Sequence, residues 1–304
     1  MAVGGWLDLS DALAAIVDKA AGAVVRVDGG RRAVGSGVAW SPDVVVTASH
    51  WLDGEDEAEV GLASGEKASA EVVGRDPSTD LAVLRVKGGG LAPAEWSDAP
   101  VRVGQLALAV TRPGRAPKAS LGLVSRVGEG FRTHAGGKVD AWVEIDVALH
   151  PGFSGGLVLD VAGRAIGLAT AGLVRGTPLA VPAATLRRVA KAILAHGGVR
   201  RGYLGIASLP VRLPPAVEAT AGQARGLLVT AVEEDSPASR AGVTVGDVLL
   251  AVDGAAVGDM SDLVPVLEED RIGDVATARL CRGGAVQEVK VTIGARGGRG
   301  GRAP

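Results

Sequence analysis

Between residues 23 and 181 the apolar residues come in short Val- and Ala-rich runs, each closed by Gly, Pro or Asp. No other property of the chain limits its fold so strongly. Runs at 23–27, 37–40, 44–48, 71–74, 81–86, 106–110, 121–127, 142–146, 157–160 and 165–169 have the length and content of strands. Many short strands with regular turn signals predict an all-β barrel or sandwich. The 46 glycines among 304 residues supply the turns. Aromatics make up only 3%, so the cores are built from Val, Leu, Ile and Ala, and an apolar fraction of 47% is ample for that.

The texture changes at both ends of this region. Residues 10–20 read as an amphipathic helix, with Leu13, Ile16 and Val17 on one face and Ser10 as N-cap. Leu186, Val189, Ala190, Ile193 and Leu194 repeat at helical spacing within 183–196, and Gly197-Gly198 stops that helix. The organisation expected is an N-terminal segment with a helix (1–22), a β domain (23–196), a basic linker (197–202), a second domain (203–294) and a low-complexity, disordered tail (295–304).

Composition excludes several classes. The formal net charge of −2 gives no reason to expect nucleic acid or an anionic membrane as partner. Cys281 is the only cysteine, so no intrachain disulfide forms. No His, Cys or carboxylate cluster has metal-ligand spacing, and neither metal nor cofactor is expected. The first residues lack a basic n-region, Asp8 and Asp11 interrupt any apolar stretch, and no apolar run is long enough to span a bilayer. As written the sequence reads as cytoplasmic, with the periplasm as the alternative if a targeting segment has been removed.

One motif carries chemistry. Gly152-Phe153-Ser154-Gly155-Gly156 lies downstream of Thr47-Ala48-Ser49-His50 and of Thr79-Asp80-Leu81-Ala82-Val83-Leu84. The pentapeptide alone is a weak signal in so glycine-rich a chain and reads equally as an ordinary turn. The order His, Asp, Ser adds the specificity, and it is the order of trypsin-like serine proteases. Ser154 Oγ needs an adjacent base to become a nucleophile. His50 can take its proton near neutral pH, and Asp80 would hold the imidazole tautomer. The amides of Gly152 and Ser154 are candidates for an oxyanion hole, where losing one donor costs about 2.7–4 kcal/mol of transition-state stabilisation. His134, His150 and His196 read as loop or surface residues.

With these motifs in hand, the chain resembles the HtrA/Deg family, trypsin-like serine proteases with a C-terminal PDZ domain. The likeness spans residues 24–293. It rests on Gly35-Ser36-Gly37-Val38, the His50 and Asp80 motifs, Ile145-Asp146 through Gly156, Tyr203-Leu204-Gly205-Ile206, the 236–242 stretch and Gly246 to Gly254. The resemblance implies a mainly β chain: a double six-stranded β-barrel followed by a PDZ β-sandwich with two short helices. It implies a His50–Asp80–Ser154 triad that cleaves unfolded or damaged polypeptides, with Leu149 in an S1 pocket for small apolar residues. It implies that Ala169, Thr170, Ala171 and Gly172 pair with the substrate backbone. Tyr203, Leu204, Gly205 and Ile206 would capture a C-terminal carboxylate. A homotrimer would form through N-terminal aromatics, for which Trp6 is the candidate. The Gly-rich 128–140 loop containing His134 is by position and composition the candidate for a switch of activity, with a plain flexible surface loop as the equal alternative.

Departures from the family pattern favour an alternative, a catalytically impaired peptide-binding or chaperone-like protein. Phe153 stands where a small polar residue is usual, and Leu157 where Pro is usual. Pro265 falls inside the expected PDZ helix, 261–267, where an interior proline costs about 3 kcal/mol.

Overall fold

The computed structural model describes residues 3–30, 34–133, 136–174 and 176–296, with side chains from Trp6 onward. His134 and residues 297–304 of the tail therefore lie outside the described residues. The chain divides into two compact units, Met1–Val199 and Arg200–Pro304.

The first unit holds two closed barrels of six strands each. The first barrel runs β1 (Val24–Asp28), β2 (Gly35–Ser41), β3 (Val44–Ala48), β4 (Glu57–Gly61), β5 (Lys67–Asp76) and β6 (Leu81–Val86), closed in the order β1-β2-β3-β6-β5-β4. The second runs β7 (Leu106–Thr111), β8 (Lys118–Arg132), β9 (Lys138–Asp146), β10 (Leu157–Leu159), β11 (Ala165–Val174) and β12 (Thr177–Pro182), in the order β10-β11-β12-β9-β8-β7.

Burial on both faces explains why several strands are apolar throughout rather than alternating. Side chains alternate across a strand. In β3, Val45 points into the first barrel while Val44 and Val46 join a shared layer. In β7, Ala107 and Ala109 fill the second barrel while Leu108 and Val110 enter the same shared layer. The layer is completed by Leu186, Val189, Ala190 and Ile193 of the helix Ala183–His196 and, at its margin, by Leu13, Ile16 and Val17 of the N-terminal helix Val3–Ala21. That first helix starts well before the expected Ser10 N-cap. Once a helix is nucleated each further residue adds a hydrogen bond, and Ser10 sits exposed inside it.

The stretch expected as a switch loop, 128–140, is mostly hairpin. Strand β8 continues to Arg132 and β9 begins at Lys138, paired from Leu123–Asp146 out to Arg132–Lys138. Thr133 Oγ1 donates to Ser78 O (2.7 Å), and the Asp140 carboxylate accepts from Thr185 Oγ1 (2.8 Å) and Arg188 (3.0 Å). The hairpin is thus tied down on both sides of its turn.

The second unit holds a sheet in the order β14 (Ile206–Arg212), β15 (Arg225–Val232), β16 (Val248–Val252), β18 (Val275–Arg282) and β19 (Ala285–Thr292), with β17 (Ala255–Ala256) beside β16. A separate two-stranded ladder joins β13 (Arg201–Tyr203) to β20 (Gly294–Arg296). Helices Pro215–Ala221 and Pro237–Arg240 flank the sheet. The expected helix over 261–267 does not form as one. Asp259 and Asp262 build a capping box on a 3₁₀ turn, Met260–Leu263, and a second turn, Pro265–Leu267, follows. Pro265 has no amide hydrogen to donate to a continuous helix.

Candidate active site

His50 and Asp80 come from the first barrel and Ser154 from the second. His50 lies in a 3₁₀ turn, Ser49–Trp51, that follows β3, and Asp80 precedes β6. These strands are neighbours, with Ala48 opposite Leu81, so pairing alone brings the two residues together. His50 Nδ1 lies 2.8 and 2.9 Å from the two Asp80 carboxylate oxygens. The His50 amide also donates to Asp80 Oδ1 (3.1 Å), and Thr170 Oγ1 donates to Oδ2 (2.7 Å). A proton on Nδ1 satisfies the carboxylate and leaves Nε2 as the basic nitrogen.

Asp80 is itself held in an unusual shape. Its φ of 55° is left-handed, a region that Asp tolerates better than most side chains. Asp76 maintains the turn: its carboxylate accepts from the Ser78 amide (3.2 Å), the Ser78 hydroxyl and Thr79 Oγ1 (2.7 Å). Gly172 lets β11 pass directly over the pair, since a Cβ there would lie 2.9 Å from Asp80 Oδ2 and 3.0 Å from His50 Nδ1.

The Ser154 turn is built from backbone. The Phe153 amide donates to His150 O (3.0 Å), closing a turn with Pro151 and Gly152 at its corners, and Gly152 has a φ of 84° that suits its third position. The Phe153 carbonyl accepts from the Gly156 amide (3.0 Å). In a trans peptide the C=O and N–H point in opposite directions, so the Ser154 amide is turned away from that bond. Among the described residues, neither the Gly152 nor the Ser154 amide makes a hydrogen bond, whereas those of Phe153, Gly155 and Gly156 do. Gly155 (φ 88°) cannot carry a side chain without striking the Ser36 carbonyl. Phe153 does not intrude on the turn: it is buried in the second barrel with Val143, Ile145 and Val158, edge-on to His150.

His50, Leu149, Gly152, Ser154, Ala171 and Gly172 line one cleft of about 360 Å³ together with Trp51, His150 and Pro151. Ser154 Oγ accepts from the Ala171 amide (3.3 Å), and no hydrogen bond joins it to His50 among the described residues. Ala169 and Thr170 are not placed to meet a substrate backbone. The Ala169 amide and carbonyl are spent on Gly156 O and the Gly155 amide (2.8 Å each), and Thr170 is buried with its hydroxyl on Asp80. The pairing expectation narrows to Ala171 and Gly172. Sequence reasoning gave Thr170 a different part, on the substrate strand rather than on Asp80, and assigned Ser36 and Trp51 none, although both adjoin motifs it picked out.

In the second unit, Leu204 O accepts from the Ala238 amide (2.8 Å) and Gly205 O from the Glu233 amide (2.9 Å). The second bond makes the Ile206–Val232 pair one of the non-hydrogen-bonded type, so the Ile206 amide faces away from β15. On that side β14 is the free edge of the sheet. Tyr203 Oη donates to Glu233, which raises the phenol above its ordinary pKa, and Arg296 stacks over the ring at 5.2 Å.

The profile of trypsin-like peptidase domains matches residues 35–168, and that of PDZ domains matches 202–293. The chain belongs to the HtrA family. Curated relatives of this HtrA-family chain include a probable periplasmic serine endoprotease DegP-like of Brucella suis, 34% identical over 86% of the chain and 53% of the relative. The protein of the same description from Pseudomonas savastanoi pv. phaseolicola is 32% identical over 87% of the chain and 56% of the relative. The chain thus spans about half the length of these relatives. Among solved structures, the HtrA-type protease AlgW with decapeptide superposes with a TM-score of 0.71 at 27% identity, covering 94% of this chain and 99% of that one. The serine endoprotease from Yersinia pestis gives 0.71 at 26% identity, covering 94% and 98%. The cytoplasmic placement expected from the sequence finds no support in relatives described as periplasmic. No helix among the described residues is long and apolar enough to cross a membrane.

Proposed function

We propose that the chain is a serine endopeptidase of HtrA type that acts on unfolded or damaged polypeptides, with His50, Asp80 and Ser154 as its triad. The observation that carries the reading is the His50–Asp80 contact in one cleft with Ser154 and its two unbonded amides. Ser154 Oγ attacks the scissile carbonyl carbon, and its proton passes to His50 Nε2. Asp80 stabilises the imidazolium that results. The Gly152 and Ser154 amides take the negative charge on the tetrahedral oxygen. The imidazolium returns the proton to the leaving amine as the C–N bond breaks, and water then repeats the sequence on the acyl-enzyme. Leu149, at the cleft wall, suits a small apolar P1 side chain, and Ala171 and Gly172 take the substrate strand.

The second unit binds substrate C-termini in this reading. A peptide adds to the free edge of β14, with its carboxylate on the amides of Gly205 and Ile206. The relatives support a periplasmic location. The exposed Trp6 and Leu7 support a homotrimer, which sedimentation would test.

The Ala171 amide on Ser154 Oγ favours a second reading, a peptide-binding protein without turnover. Incubation of unfolded β-casein with wild type and Ser154→Ala near neutral pH separates the two. Cleavage by wild type alone supports the endopeptidase, and cleavage by neither supports the binding protein.

A further inference from the structure

Trp51 is the residue after His50 and has no part in the chemistry described above. Its indole reaches from the first barrel to the second: Nε1 donates to the Ser154 carbonyl at 2.9 Å. The Ser36 amide donates to the same oxygen at 3.3 Å, and the other end of that peptide, the Gly155 amide, donates to Ala169 O at 2.8 Å. The peptide after the nucleophile is therefore gripped at both ends, which fixes the Ser154 backbone while Oγ stays free to rotate. The same ring lies against the His50 imidazole, centroids 4.4 Å apart and planes tilted by 52°. A single side chain thus touches both the base and the support of the nucleophile.

The seat of the indole is equally specific. A Cβ on Gly35 would collide with Nε1, Cδ1 and Cε2 of Trp51, so the ring lies flat on bare backbone at the start of β2. The neighbouring Ser36 takes hold of the turn from the same strand, its hydroxyl donating to the Gly152 carbonyl at 2.8 Å. Gly35 and Trp51 form one fitted pair.

We infer that Trp51, seated on Gly35, is a positioning residue that registers the Ser154 turn against His50, so that the nucleophile meets the base when Oγ leaves the Ala171 amide. The inference rests on the endopeptidase reading for its kinetic consequence and on the ground-state hydrogen bond for its existence. Trp51→Phe keeps a ring and removes the donor. It lowers kcat on a short peptide by about two- to tenfold, the usual worth of one hydrogen bond, with KM and the melting midpoint unchanged. Gly35→Ala displaces the indole and gives a loss of the same kind. Because both act through one contact, the double variant is no worse than the weaker single. Trp142→Phe, which removes an indole donor on the β9 strand (Nε1 to Glu144, 3.1 Å), leaves kcat unchanged.

A kcat unchanged in Trp51→Phe, or lowered equally in Trp142→Phe, overturns the assignment. A readout independent of turnover is the Trp51 Nε1–H resonance, identified by its loss in Trp51→Phe. The bonded proton exchanges with solvent more slowly than that of the exposed Trp6. Exchange as fast as that of Trp6 overturns the assignment even in a protein that cleaves nothing, whereas slow exchange in an inert protein overturns only the endopeptidase reading.

Discussion

Asp80 in the first unit and Asp247 in the second are both buried carboxylates that accept from a cationic or potentially cationic side chain and from a backbone amide. They differ in the partner. Asp247 receives Arg282 through Nε and Nη2, 2.7 Å each, plus the Thr244 amide at 2.8 Å. Arginine never gives up its proton at ordinary pH, so this fork stays locked. Asp80 faces His50, a side chain that can take up and release a proton, as arginine cannot. The locked pair holds the Thr244–Asp247 turn beside β16, while the other leaves a basic nitrogen facing a cleft. In the proposed reading, what separates the structural carboxylate from the catalytic one is therefore not its burial or its hydrogen-bond count but whether its partner can gain and lose a proton.

Substitutions can break this contrast. The largest effect belongs to Asp80→Asn. Asn tolerates the left-handed φ as Asp does, so the turn survives while the imidazole tautomer is lost. We expect kcat for peptide hydrolysis to fall by about 10⁴, the handicap known for the equivalent change in a trypsin-type enzyme, with the melting midpoint little changed. A loss below about tenfold would contradict the role given to Asp80.

Asp247→Ala should do the reverse. It leaves the Thr244 amide unpaired and costs about 1–3 kcal/mol, read as a lower unfolding midpoint of residues 200–304, with short-peptide hydrolysis retained. Equal damage to both properties would erase the distinction between the two carboxylates.

Thr170→Val removes one hydrogen bond from Asp80 Oδ2 and from the Gly172 amide (3.0 Å). We expect about a two- to tenfold drop in kcat, measured on a short peptide at saturation. An unchanged kcat would mean that His50 alone orients the carboxylate.

Acid gives the smallest effect. The Arg282 hydrogen bonds hold the Asp247 carboxyl below its ordinary value against the opposing effect of burial, and the Thr244 amide adds to them. A carboxyl depressed on folding stabilises the fold above its unfolded pKa, near 3.9, and loses that contribution as the pH falls below about 4. Chemical denaturation of wild type should weaken over that range more steeply than that of Asp247→Ala, and parallel pH profiles would count against the pairing.

Strands buried on both faces were the easiest to pick out, because unbroken Val and Ala runs such as 44–48 stand out against polar turns. β4 (Glu57–Gly61) was passed over because its Glu-Ala-Glu-Val pattern buries only Ala58 and Val60. Pro265 signalled trouble in its helix, but the two 3₁₀ turns that replaced it, the first capped by the Asp259–Asp262 box, were not foreseen. In the site, His50, Asp80 and Ser154 were legible because their side-chain chemistry and chain order are informative. Their supports were not, since Thr170, Ser36 and Trp51 act through distances that no spacing encodes. Ala169 was placed on the substrate strand because the sequence cannot say that its amide and carbonyl are already spent on Gly156 and Gly155.

By itself, then, the sequence determined the alternation of strand and turn and the reactive groups available. Those are local properties, set by side-chain chemistry and backbone sterics within a few residues. Only the tertiary structure decided which amides remain unbonded in the Ser154 turn, which carboxylate faces a titratable partner, and that Trp51 lies on Gly35 against a residue 103 positions away. Those outcomes depend on closing two barrels side by side, which brings distant backbone groups within hydrogen-bonding reach and consumes some while sparing others.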